Sequence, residues 1–196
     1  MHVTKQELIG SSGSNANYLI ASTASPYVVF GAPYSTGCAA QMISVDANGT
    51  LTAVISNETY GSTAGVHGLA LSSDNKFLYS ADDMGNAVWI HSINFTCGSI
   101  EEVQYLAAPS GADPRHLVVH PLGNYAYVVF EALSEVGVYE RDNTTGELTY
   151  TDTTFPLLPT GKHSMPCTKK YNTRLINDAR IHEHLLVLSG RDPILR

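Results

Sequence analysis

Little in this chain points to a metal, a redox centre or a membrane. Its three cysteines, Cys38, Cys97 and Cys167, cannot all pair with one another and show no CxxC spacing, which excludes a zinc knuckle or a dithiol motif. No apolar stretch approaches the length of a membrane span. Charged residues make up only 15% of the 196, with a net charge of −7 and no basic stripe, and that argues against a nucleic-acid surface. Lys162, Lys169, Lys170, Arg174 and Arg180 do gather near the C-terminus, where they read as a solvated, irregular segment. No GxSxG elbow is present and no cysteine carries a local activating motif, so nothing supports a nucleophilic mechanism. No segment has helical apolar periodicity over a helix length.

The histidines look like metal ligands and do not behave as such on a strand. His116 and His120 share a face at i and i+4, but an extended chain holds them roughly 13 Å apart, too far for one ion. His182 and His184 stand about 7 Å apart if extended and lack a third ligand. No metal and no cofactor is expected. MHVTKQELIG at the start has no apolar signal core, which makes a cytoplasmic location the default. Four sequons, at Asn48, Asn57, Asn94 and Asn143, stand beside predicted turns and keep a secreted or cell-wall location open.

What the chain does have is a repeat. GVHGLALSSDNKFLYSADDMGNAVWIHSI, from Gly65, returns as DPRHLVVHPLGNYAYVVFEALSEVGVYER, from Asp113. Leu69 and Leu117, and Tyr79 and Tyr127, both stand 48 residues apart, and a Gly marker recurs at Gly49, Gly98 and Gly146. A period near 50 means stacked supersecondary units. Each unit opens on a short apolar run, Leu69–Leu71 or Leu117–Val119, then turns and continues through Phe77–Tyr79 or Tyr125–Val129. A third strand follows at Val88–Ile90 or Val136–Tyr139, and a fourth begins after the Gly marker, at Ile100–Tyr105 or Leu148–Thr151. Aromatic and β-branched residues fill these runs, as pleated surfaces favour. Four short strands in about 40 to 50 residues make a β-propeller blade. A two-sheet sandwich is the competing architecture, and the shared register weighs against it.

The chain therefore reads as one all-β, partial propeller domain over residues 1–196, with about four blades. Clear repeats span about 65–112 and 113–160, a partial blade about 18–60, and a divergent segment 162–196.

Propeller strands run up and down outward from the axis, so the start of strand one and the end of strand two share one mouth of the channel. His67 and Arg115 are expected just before their first strands, with Asp83 and Glu131 just after their second strands. An imidazole, a guanidinium and two carboxylates at one mouth suit a small anionic substrate undergoing proton transfer. The competing reading is that Arg115 and Glu131 form a structural ion pair and His67 is a hydrogen-bonded turn residue.

The segment PRHLVVHPLGNYAYVVFE, Pro114 to Glu131, resembles the seven-bladed propeller family that includes 3-carboxy-cis,cis-muconate cyclase and 6-phosphogluconolactonase. TAGVHGLALSSDNKFLYSADDMGNAVWIHS and FPLLPTG resemble the fungal cyclase branch more closely. The resemblance covers about Tyr60 to Gly161. It implies that His67, Arg115 and Glu131 line an active site needing no metal: Arg115 clamps an anionic substrate, while His67 and Glu131 transfer or orient protons, the acid among them undecided. Asp83, placed at the same mouth by strand direction, is a weaker substrate-binding candidate, and the resemblance further implies a second arginine for which Arg191, ending HLLVLSGR, is the candidate. A ring of seven implies about two blades before Met1 and at least one after Arg196, so that the chain would be a fragment or would self-associate. The expected functions are a lactonising isomerase of aromatic catabolism, a lactone hydrolase acting on a sugar-phosphate lactone, or a non-catalytic secreted glycoprotein.

Overall fold

The computed structural model describes residues 16–34 and 39–157. They form twelve strands and no helix. The first sheet holds β1 (Ala16–Ala21), β2 (Val28–Pro33), β3 (Ala39–Val45) and β4 (Leu51–Thr59). The second holds β5 (Val66–Leu71), β6 (Phe77–Asp82), β7 (Ala87–Asn94) and β8 (Ser99–Ala107). β9 (Pro114–Val119), β10 (Tyr125–Phe130), β11 (Glu135–Arg141) and β12 (Leu148–Pro156) make the third. Every sheet is a four-stranded antiparallel meander in sequence order. These are three propeller blades, and the segment expected to be a partial blade is a complete one. Residues 162–196 lie outside the described part.

The blades pack face to face, which explains why their strands read as unbroken apolar runs. All six residues of β6 are buried. Phe77, Tyr79 and Ala81 enter a core with Leu117, Val128 and Phe130 of the third blade. Leu78 points the other way, into a core with Phe30, Met42 and Val66. The alternation of the strand thus serves two neighbours rather than a neighbour and water.

Polar staples join the second and third blades. Gln104 donates from Nε2 to the Leu148 carbonyl at 3.1 Å and accepts the Leu148 N–H at 2.9 Å. The buried Tyr79 hydroxyl donates to the Gly146 carbonyl at 2.9 Å and accepts from Arg141 Nε. Arg141 also donates to the Gly123 carbonyl at 3.0 Å and to Asn143. Its guanidinium lies over the Phe77 and Tyr79 rings.

The Gly marker falls in the hairpin between the third and fourth strands of each blade, with φ of +82° at Gly49, +72° at Gly98 and +79° at Gly146. An L-residue in that left-handed region costs about 1–2 kcal/mol. The sites differ in surroundings. A Cβ on Gly49 would meet nothing within 4 Å, whereas one on Gly146 would strike the Phe77 ring. Overpacking of that kind adds about 1–3 kcal/mol. Gly49→Ala is therefore expected to cost about 1 kcal/mol and Gly146→Ala about 2–4 kcal/mol, read from urea midpoints. Equal losses at the two sites would mean that Gly146 is kept for its dihedral alone.

Candidate active site at one mouth of the channel

The innermost strands β1, β5 and β9 lie side by side, with β5 between the other two. Their approach is close: a Cβ on Gly68 would sit 2.5 Å from the Arg115 carbonyl oxygen. Each of these strands carries a bulge at the same place. The pairing register skips Asn17 in β1, His67 in β5 and Arg115 in β9. A bulged residue has no partner in the ladder, and the local kink re-aims its side chain. His67 and Arg115 are thus inside their first strands, not before them as the sequence led one to expect.

The residue that follows each second strand stands at the same mouth. Tyr34 follows β2, Asp83 follows β6 and Glu131 follows β10. The last two are fixed by identical backbone bonds. The Asp83 N–H donates to the Gly65 carbonyl at 3.2 Å and the Glu131 N–H to the Asp113 carbonyl at 3.1 Å. One turn later, Asn86 and Ser134 donate back to the Asp83 and Glu131 carbonyls, both at positive φ. The repeat, 48 to 50 residues long between equivalent positions, thus delivers three bulge residues and three post-strand residues to one place.

Their side chains connect both within the third blade and across blades. Arg115 and Glu131 form an ion pair and hydrogen bond through NH1 and Oε2, with side-chain exposures of 20% and 26%. The Tyr34 hydroxyl donates to Asp83 Oδ2 at 2.5 Å. Asn17 Nδ2 donates to the His67 carbonyl at 3.4 Å. The His67 ring meets the His116 ring edge-on at 4.9 Å and the Tyr34 ring at 5.5 Å, while Tyr18 packs against His116 at 5.8 Å. His67 Nδ1 and Arg115 Nε are buried without a hydrogen-bond partner, two donor or acceptor positions left for a ligand or water.

The electrostatics separate the groups. Burial, then the Arg115 charge and His116, push the His67 imidazole down to about 3. Burial, aided by Arg115, lowers His116 to about 4. Burial raises the Asp83 carboxyl above the usual carboxylate range; the Tyr34 hydrogen bond opposes this, while the Glu131 and Asp113 charges add to it. Tyr34 is raised by burial and by Asp83. At neutral pH His67 is an uncharged imidazole.

Of the residues expected from the sequence, His67, Asp83, Arg115 and Glu131 converge. Arg191, His182 and His184 lie outside the described residues, as do Cys38 and Cys167. Cys97 is an exposed free thiol. Among the described residues no cluster of three His, Cys, Asp or Glu side chains has metal-binding geometry. Asn48, Asn94 and Asn143 are exposed in the hairpins between third and fourth strands, at the end of the blades opposite this mouth. Asn57, expected beside a turn, is within β4 and pairs with Gln41. Asn17, Tyr34 and His116 were missed. The signal for the first two was their place in the repeat, hidden because the first blade has lost the motif's letters.

An imidazole whose folded pKa lies below its ordinary value of 6.5 makes the folded state bind fewer protons than the unfolded one. Stability from it is complete above about pH 6.5 and declines as pH falls toward the folded pKa. The urea midpoint is therefore expected to fall between pH 7 and 5, and His67→Gln to flatten that slope. A midpoint unchanged over this range would mean that the imidazoles take up protons without cost.

Comparison with known proteins agrees with this geometry. Residues 3–169 match the family model "Lactonase, 7-bladed beta-propeller". The chain is 34% identical over 152 residues to the carboxy-cis,cis-muconate cyclase of Neurospora crassa, covering 76% of this chain and 41% of that protein. It is 30% identical over 98 residues to the 6-phosphogluconolactonase of an Enterobacter species, covering 42% of this chain and 30% of the relative. The chain thus spans less than half the length of either. In fold it is similar to the periplasmic gluconolactonase of Pseudomonas aeruginosa, with a TM-score of 0.66 at 22% identity over 78% of this chain and 45% of the other. The family model matched over residues 3–169, together with three consecutive four-stranded blades, places this chain in the seven-bladed β-propeller lactonase family.

Proposed function

We propose that the chain carries the working mouth of a carboxymuconate-cyclase-like lactonising isomerase acting on a small unsaturated polycarboxylate. The observation that supports this most directly is Arg115. Its bulge aims a guanidinium at the channel mouth between β5 and β9, where it keeps a buried Nε without a partner. A guanidinium presents a planar fork suited to a carboxylate. Identity to the Neurospora crassa cyclase over three quarters of this chain supports the same reading.

In the lactonising step a carboxylate oxygen of the substrate adds to one carbon of a conjugated double bond, forming the C–O bond of the ring. The electron pair of that double bond moves to the neighbouring carbon, which takes one proton from an acid on the protein. Arg115 holds a substrate carboxylate against charge repulsion, and Glu131 fixes the guanidinium plane. His67, uncharged at neutral pH, orients the substrate through its imidazole rather than acting as a cationic acid. No metal is needed for charge balance in this step.

A second reading, hydrolysis of a sugar-phosphate lactone, draws on the 30% identity to the 6-phosphogluconolactonase. The same arginine would then hold a phosphate, and a carboxylate would activate water.

Loss of 3-carboxy-cis,cis-muconate absorbance separates these from each other when run beside hydrolysis of 6-phosphogluconolactone. Turnover of the first substrate alone is expected. Arg115→Ala should lower kcat/KM roughly 100-fold or more, a loss typical of a charge-stabilising donor. Unchanged turnover with only a lowered melting temperature would make the Arg115–Glu131 pair structural. Turnover of neither substrate, with glycans on Asn48, Asn57, Asn94 or Asn143, would favour a secreted binding protein instead.

A further inference from the structure

Two aspartates stand side by side at the end of β6, and the fold treats them differently. Asp82 is buried and locked by three donors: the Gly65 and Gly85 N–H groups, both at 2.8 Å, and Trp89 Nε1 at 2.9 Å. It ties the β5–β6–β7 corner together. Asp83 is half-buried, stands at the same mouth as His67, and among the described residues takes only the Tyr34 hydroxyl, on Oδ2. No described cation lies within ion-pair distance of it; Arg115 is committed to Glu131.

We propose that Asp83 is the acid that supplies the proton in the lactone-forming step, with Tyr34 as its positioning residue. This rests on the lactonising reading given above. Three features of the site lead to it. Asp83 is the second-blade counterpart of Glu131, 48 residues earlier and held by the same pair of backbone bonds, so the two carboxylates reach one mouth from adjacent blades. Glu131 is tied to the Arg115 guanidinium by an ion pair and hydrogen bond and is occupied in positioning it. His67 lies between burial and the Arg115 charge and does not carry an extra proton at neutral pH. Asp83 is the titratable group left at the mouth that keeps one carboxyl oxygen, Oδ1, clear of the Tyr34 bond.

The groups facing Asp83 explain why it can hold a proton. Tyr34 approaches from the segment after β2, Glu131 from the segment after β10, and Asp113 and Arg115 from the start of β9. Burial and the two carboxylates favour the protonated acid, and Tyr34 and Arg115 favour the anion; the balance lies toward a raised pKa. In the reaction the Asp83 O–H bond breaks and its proton joins the carbon that receives the electron pair. The carboxylate left behind is reprotonated from solvent, and the Tyr34 hydroxyl holds it in place meanwhile.

The test uses the full chain with Asp83→Asn and Tyr34→Phe. An acid must carry its proton, so wild-type kcat is expected to fall as pH rises through the Asp83 pKa. Asp83→Asn should lower kcat about 100-fold or more, leave KM within about threefold, and remove that limb of the profile. Tyr34→Phe deletes the bond that favours the anion, so the limb should move to higher pH, an effect that a merely structural tyrosine would not produce. Turnover by Asp83→Asn with an unaltered pH profile would overturn the proposal while leaving the lactonising reading intact. Turnover of 3-carboxy-cis,cis-muconate by no form of the protein would overturn the reading itself. Carboxyl carbon-13 titration of the Asp83 side chain then decides the dyad separately. A pKa above the ordinary range that rises further in Tyr34→Phe supports it, and an ordinary pKa insensitive to Tyr34 overturns it.

Discussion

The constraint on which this structure depends is that a blade sheet apolar on both faces must be covered on both faces. β6 shows it most plainly, since Phe77, Tyr79 and Ala81 pack toward the third blade while Leu78 packs toward the first. Burying such side chains is worth about 1.5–3 kcal/mol each, but only when a neighbouring sheet is present. The middle blade has both neighbours. The first and third have one each among the described residues, and their other faces carry Leu19 at 67% exposure and Phe155 at 53%. Blade packing is therefore the source of both stability and shape, as nearest-neighbour interfaces are in other repeat proteins.

The same packing makes the site. β1, β5 and β9 lie side by side along the axis, and side chains that leave the ladder at equivalent positions meet at one end of these strands. The bulges at Asn17, His67 and Arg115 provide that exit. The loops after the second strands bring a tyrosine, an aspartate and a glutamate to the same level. Identical backbone bonds place the aspartate and the glutamate, so the chemistry changes between these two blades while the geometry does not. Burial then sorts the groups: an uncharged imidazole at His67, a guanidinium paired with Glu131, and a carboxyl at Asp83 whose pKa burial raises.

Much of this is legible in the chain because the repeat is written in residues that cannot easily be exchanged. Gly98 and Gly146 mark hairpins that need a left-handed residue. The apolar run of β6 is unbroken because the middle blade is covered on both faces. Once the 48-residue register is drawn, His67 aligns with Arg115 and Asp83 with Glu131 without any structure. The first blade was only half visible, since its β1 and β2 keep the pattern of apolar residues but not the motif, and Tyr34 is two residues past a proline-free stretch that ends at Ala32.

What the sequence by itself determined is the all-β class, the four-strand unit and the set of ionisable residues at one mouth, because these follow from period and from strand direction. Tertiary structure alone decided that His67 and Arg115 are bulge residues rather than turn residues, since a bulge is a property of the partner strand's register and not of local composition. It also decided which carboxylate pairs with the guanidinium and which meets a tyrosine. The first choice is made 16 residues apart within the third blade and the second 49 residues apart between the first and second blades, and distance in sequence carries no record of either.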